Sequence, residues 1–249
     1  MNIALMSLLV FIVAALYSSA GFGGASGYLL VMNLFGIPAN IMASTALLLN
    51  IFVSSISFAN YYKAGHFRPG LLTPFLITSI PAAFLGGRIE LSSEMYSVLL
   101  YGVLTYLAIR MVFFPTLTEA PDWTARPIPI WVALASGAGI GLLSGILGIG
   151  GGIFLSPLII LMGWGNSKQA AASAGGFIAI NSLSGLVSRV THGSFVISEF
   201  GTPMLLVGLL GALIGSLLGA VRFSSSGVRR ALGTILSIAV GTFWISFFQ

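Results

Sequence analysis

Charge is what this sequence lacks most. Only 6% of its 249 residues are Asp, Glu, Lys or Arg, against about 25% in a soluble domain. So few charges cannot cover a water-facing surface, so the apolar excess must face lipid. Cysteine is absent, which excludes disulfides and thiolate metal sites. Two histidines and five acidic residues leave little for a metal centre or an acid–base pair, so no cofactor is expected and a membrane enzyme is the least favoured class. No Lys or Arg precedes the apolar stretch 3–20, and Ser18-Ser19-Ala20 superficially resembles a signal cleavage site, but a matching segment recurs mid-chain, so cleavage is not expected.

What is present is apolar sequence in segments. They fall at 3–20, 24–37, 40–61, 70–87 and 95–113, and again at 129–147, 150–163, 169–189, 201–221 and 228–247. Between the two sets lies a polar, proline-rich stretch with Pro115, Pro121, Pro127 and Pro129, the natural seam. The chain therefore divides into a first transmembrane repeat (1–114), a cytoplasmic linker (115–128) and a second transmembrane repeat (129–249). Gly21-Phe22-Gly23-Gly24 matches Gly148-Ile149-Gly150-Gly151 at an offset of 127, and Thr45 matches Ser173 at an offset of 128. Each half has a short second segment and a long third one, as an internal duplication requires.

The ten Lys and Arg residues give a net charge of +5. They stand singly between apolar runs, so they mark topology rather than a nucleic-acid partner. If every segment crosses, Lys63, Arg68, Arg110, Arg126, Lys168, Arg222, Arg229 and Arg230 share one side, and only Arg88 and Arg189 lie opposite. If the two short segments are re-entrant, the split is even. The positive-inside rule favours the first arrangement, with two inverted repeats and both termini outside. The expected fold is an all-α polytopic membrane protein of about 8–10 transmembrane segments with glycine-broken short helices.

The glycine runs are the leading site candidates. A helix that restarts after such a break presents free backbone N–H groups, which bind anions. The candidate substrate-binding residues are Ser19, Gly23, Gly24, Ser26, Thr45 and Asn50 in the first half, with Gly150, Gly151, Gly152, Ser173 and Asn181 in the second. Their hydroxyls and amides can replace water around a small oxyanion. The competing reading is close helix packing and interhelical hydrogen bonding. Glu90, Glu94, Glu119, Asp122 and Glu199 all sit in loops or at segment ends. A cation would thus lack a counter-charge in the membrane, and an anion is favoured.

Gly21 to Gly27 with Gly36 to Thr45, and Gly148 to Pro157 with Gly163 to Ser173, resemble the sulfite exporter TauE/SafE family along residues 3–248. The resemblance implies a permease of the bacterial inner membrane for sulfite, a sulfonate or a related organic anion. The first half departs from the fuller second-half pattern, with Ala25 in place of the last glycine and Leu30 in place of the proline. The expected partners are the small anion and the lipid bilayer, and a homodimer is left open. The alternative is a membrane assembly or scaffold protein without flux.

Overall fold

The computed structural model describes residues 3–19, 23–113, 126–196 and 201–221, with isolated helical positions between 237 and 245. Gly21 and Phe22, most of the expected linker and most of the tenth segment lie outside the described residues. The described chain forms α1 (Ile3–Ser19), α2 (Ala25–Leu34), α3 (Ala39–Lys63), α4 (Thr73–Gly87), α5 (Ser93–Phe113), α6 (Ile130–Leu147), α7 (Gly152–Leu161), α8 (Ser167–Thr191) and α9 (Gly201–Val221). One 3-10 turn at Pro69–Leu71 precedes α4, and no strand occurs among the described residues.

The helix ends follow from local sequence, and they follow in pairs. The short helices α2 and α7 close on Gly36 and Gly163, with Ile37 N donating to Met32 O and Trp164 N donating to Ile159 O. The long helices α3 and α8 close the same way on Gly65 and Gly193, with His66 N donating to Tyr61 O and Ser194 N to Arg189 O. These are glycine C-caps that satisfy the last carbonyls. At its start, α8 has a capping box: Asn166 Oδ1 accepts from Gln169 N at 2.9 Å, and Gln169 Oε1 accepts from Asn166 N at 3.1 Å.

The two 25-residue helices α3 and α8 form the centre and run antiparallel. Gly185 packs beside Leu47, while Gly175 and Gly176 pack beside Phe58. Each helix is about 37 Å long at 1.5 Å per residue, enough to cross a hydrocarbon layer of about 30 Å. By length and composition α3, α6 and α8 are each able to span a membrane.

Around this centre the halves interlock. The fourth helix of each half lies on the first helix of the other. On α6, Gly137, Gly141 and Gly145 bring its backbone against Phe75, Ser79 and Ala83 of α4. On α9, Gly211 and Gly215 do the same against Phe11 and Ala15 of α1. A side chain at these positions would force the backbones apart, the usual logic of small-residue contacts between membrane helices. The fourth helices also pack on the opposite long helix. Ser188 Oγ of α8 donates to Phe84 O of α4 at 2.6 Å, and Asn60 Nδ2 of α3 donates to Ser216 Oγ of α9 at 2.8 Å. Exchanging the halves leaves this set of packing pairs unchanged.

The exterior is apolar, and small polar residues are buried within an apolar core. Leu8, Ile77, Leu85, Trp131, Leu206 and Leu210 are exposed, whereas Ser44, Asn50, Ser54, Ser144, Ser173, Asn181 and Ser182 are buried. An apolar exterior, with small polar side chains buried within an apolar core, suits a lipid environment.

Candidate functional site: the junction of the two glycine breaks

Both broken segments run the length of a long helix. Ser19, the last residue of α1, has its carbonyl hydrogen-bonded by Tyr61 Oη at 3.1 Å, near the C-terminal end of α3. The chain then reaches Gly23 beside Asn50 at mid-length of α3, and α2 carries it on towards the start of α3. The second half repeats this path along α8. Arg189, near the end of α8, donates to Gly145 O and Ile146 O at the end of α6, at 3.2 and 3.0 Å. Gly152 packs on Ala174 and Ile178 at mid-helix, and α7 leads to Gly165 beside Gln169 at the start of α8.

The breaks meet at the middle. A Cβ on Gly23 would stand 2.9 Å from Ile178 Cγ2 and 3.0 Å from Asn50 Oδ1. A Cβ on Gly150 would stand 2.5 Å from the same Ile178 Cγ2, 3.0 Å from Ser182 Oγ and 3.1 Å from Asn50 Nδ2. Asn50 and Ile178 are repeat equivalents at an offset of 128, as are Ser54 and Ser182. Ser54 Cβ lies 3.4 Å from the Gly23 Cβ position, so each half supplies one serine. Asn50 Nδ2 donates to Gly148 O at 3.1 Å, tying α3 to the opposite break.

Each short helix starts on a left-handed glycine, Gly24 at φ 88° and Gly151 at φ 77°, and neither start has a side-chain cap. An L-residue adopts that conformation only with strain. The uncapped first turns leave backbone donors without helical partners. Gly23 to Ser26 and Ile149, Ile153 and Ile178, with Tyr17, line one small cavity between the two starts. Its volume, taken as the space open to the centre of a water-sized sphere, is about 10 Å³. That is room for about one water molecule, too little for an oxyanion with its waters. Among the described residues no Lys, Arg, Asp or Glu lines it. The site therefore offers dipoles rather than a counter-charge, and such binding lets an ion leave again.

The candidate residues divide by where they fall. Gly23, Asn50 and Gly150 surround Ile178, and Gly152 reaches the same side chain. Gly24 and Ser26 line the cavity, with Ser26 Oγ donating to Tyr17 Oη at 2.9 Å. Gly151 faces Ile140 and Phe177 instead. Ser19 donates its hydroxyl to Leu16 O within α1, and Asn181 Nδ2 donates to Phe177 O within α8. Thr45 and Ser173 are buried, with hydroxyls that have no partner. Asn50 Oδ1 and Ser182 Oγ are also buried without partners, and both lie at the junction. An unsatisfied buried polar atom is costly; of these two, Ser182 Oγ can donate to an anionic guest, whereas Asn50 Oδ1 can only accept, from a water or a protonated guest. Of the residues around the junction, Ile178, Ser54 and Tyr17 were not among the residues singled out from sequence. The offset of 128 that relates Thr45 to Ser173 also relates Ser54 to Ser182 and Asn50 to Ile178, so that signal was present.

Comparison with known proteins agrees with this architecture. A protein of Sinorhizobium fredii named "Probable membrane transporter protein" is 33% identical over 235 residues, covering 94% of this chain and 95% of that protein. A protein of Methanocaldococcus jannaschii bearing the same designation is 25% identical over 251 residues, covering 94% of this chain and 92% of that one. A third, from Haemophilus influenzae, is 27% identical over 203 residues. No solved structure matches the chain. The family model described as "Sulfite exporter TauE/SafE" matches residues 6–243. The protein is thus an integral membrane transporter rather than an enzyme, and the chain belongs to the sulfite exporter TauE/SafE family.

Proposed function

We propose that this transporter exports a small sulfur-containing or organic oxyanion, such as sulfite or a sulfonate, across the bacterial inner membrane. The guest binds at the junction of the glycine breaks. The observation that carries this reading is that the uncapped start of α2 lines a cavity at mid-length of α3 and α8 whose other wall includes Ile149 and Ile153, the residues that flank the uncapped start of α7. Backbone N–H groups and the positive ends of two helices favour an anion there. Because the cavity holds about one water, passage requires the halves to move apart on one side at a time. Antiparallel packing of the equivalent helices α3 and α8 supports an inverted repeat, the plan that gives alternating access. Lys63, Arg68, Arg126 and Lys168 flank one end of the bundle, and Arg88 and Arg189 the other. The positive-inside rule then puts the first end, and the linker, in the cytoplasm.

The membrane potential alone can drive export. A potential of 100 mV, negative inside, is worth about 2.3 kcal/mol per charge, roughly a fiftyfold concentration ratio for a monoanion. The test is sulfite efflux from proteoliposomes under a potassium diffusion potential with no pH gradient. Potential-driven efflux is expected. Efflux that needs a pH gradient while the potential is clamped would show the reading of uncoupled movement to be wrong.

A further inference from the structure

A second polar feature lies away from the junction, at the end of the bundle where α4, α6 and α8 finish and α3 and α5 begin. A vestibule of about 280 Å³, measured as the space open to the centre of a water-sized sphere, is lined there by Asn40, Glu90, Tyr96, Arg189 and Ser194 among others. It is far larger than the junction cavity, with ample space for a four- or five-atom oxyanion and its waters.

Arg189 is 4% exposed. One terminal nitrogen donates to Gly145 O and Ile146 O, and beside it Tyr96 Oη donates to Leu147 O at 2.9 Å. The two side chains thus hold the last carbonyls of α6, just before the second break. Arg189 Nε, however, is buried without a partner. Glu90 is exposed and lines the same vestibule, yet leaves that nitrogen unmatched. A guanidinium offers five donors in a planar fork suited to carboxylates and other oxyanions, and two carbonyls do not use them up.

The repeat shows that the carbonyl-holding role needs no charge. The equivalent of Arg189 at an offset of 128 is Tyr61. Its hydroxyl donates to Ser19 O at the end of α1, performing the same task in the first half with a neutral group. Burying a cation where a phenol suffices is expensive unless the charge has a further use.

We propose that the vestibule is a second anion site, separate from the glycine junction. In it the Arg189 guanidinium holds a sulfonate, carboxylate or sulfite-like oxyanion, and Glu90 competes as the resident carboxylate. The site is a buried guanidinium that the repeat does not duplicate at the opposite mouth, where Tyr61 stands at this position. Binding there does not depend on the junction being the transport site.

The test reads the vestibule locally. The chain has no cysteine, so Ser194→Cys gives a single attachment point for a fluorophore on the vestibule wall. The full-length protein in detergent is titrated with methanesulfonate at constant ionic strength. A saturable change in emission is expected. Arg189→Tyr, which keeps a hydroxyl to hold the α6 carbonyls, weakens the apparent affinity at least tenfold. Glu90→Gln, at an exposed position and with Arg189 intact, tightens it severalfold. A response that does not saturate, or equal affinity with and without Arg189, overturns the proposal. If Arg189→Tyr fails to fold, Glu90→Gln decides: unchanged affinity overturns it. Loss of sulfite flux with normal vestibule binding would indict the junction reading instead.

Discussion

Replacing Gly150 by alanine adds one methyl group where the two halves meet. Gly150 has φ 79°, a conformation that costs an L-residue about 1–2 kcal/mol. The new Cβ would also stand 2.5 Å from Ile178 Cγ2 and 3.0 Å from Ser182 Oγ, and crowding of that kind costs about 1–3 kcal/mol. The expected loss is therefore about 2–5 kcal/mol. Gly23→Ala points at the same isoleucine, at 2.9 Å, but Gly23 is not among the positive-φ glycines. It should lose only the crowding part, about 1–3 kcal/mol. Ile178→Leu removes the offending branch methyl at nearly constant volume and by itself costs under about 1.5 kcal/mol. Combined with either alanine, it should restore part of the lost stability, a coupling of about 1 kcal/mol or more. The assay is unfolding in mixed micelles for the single and double variants, with sulfite flux in proteoliposomes alongside. If Gly150→Ala matches the wild type in both, or if Ile178→Leu shows no coupling with either alanine, the breaks do not meet at Ile178.

Three further outcomes follow from other contacts. Asn50→Leu removes the bond to Gly148 O and should cost about 1–2 kcal/mol; Asn50→Asp adds a negative charge at the junction and should lower anion flux at least tenfold, read as initial efflux rates. Gly145→Leu drives a side chain into the Ala83 backbone of α4 and should destabilise by several kcal/mol, seen as a large fall in melting temperature. His66, in the loop after α3, has its pKa held below the usual 6.5, chiefly by partial burial and then by the charge of Lys168. Folding therefore favours the neutral ring, so its contribution is fully present above pH 6.5 and is lost as the pH falls below that value. His66→Gln should flatten the melting-temperature profile between pH 7 and 5.

Much of the fold was legible because lipid imposes simple rules. The expected segment 169–189 is α8, 167–191, and 40–61 is α3, 39–63; long apolar runs bounded by Pro38, Asn166, Gly65 and Gly193 leave little ambiguity. The short segments were legible too, since Gly24 and Gly151 must restart a helix. Less legible was the interlocking of halves. The contact of α6 with α4 rests on Gly137, Gly141 and Gly145, and a stripe of three glycines at four-residue spacing in one helix does not say which helix receives it. At the site, glycine spacing pointed to the breaks but not to Ile178, an ordinary apolar residue whose position depends on how α8 crosses α3. Asn181 shows the opposite limit. An amide in apolar sequence drew attention, yet its Nδ2 bonds back to Phe177 O, a local solution that sequence alone cannot separate from a ligand contact.

The proposed transport site holds one anion where both glycine breaks converge. Selenite, the selenium counterpart of sulfite, tests it most directly through anomalous diffraction from crystals of the protein grown with it. An anomalous peak is expected between Gly23 and Gly150, within hydrogen-bonding reach of the α2 and α7 starts. A protein that transports selenite but shows its peak only in the Arg189 vestibule would contradict it.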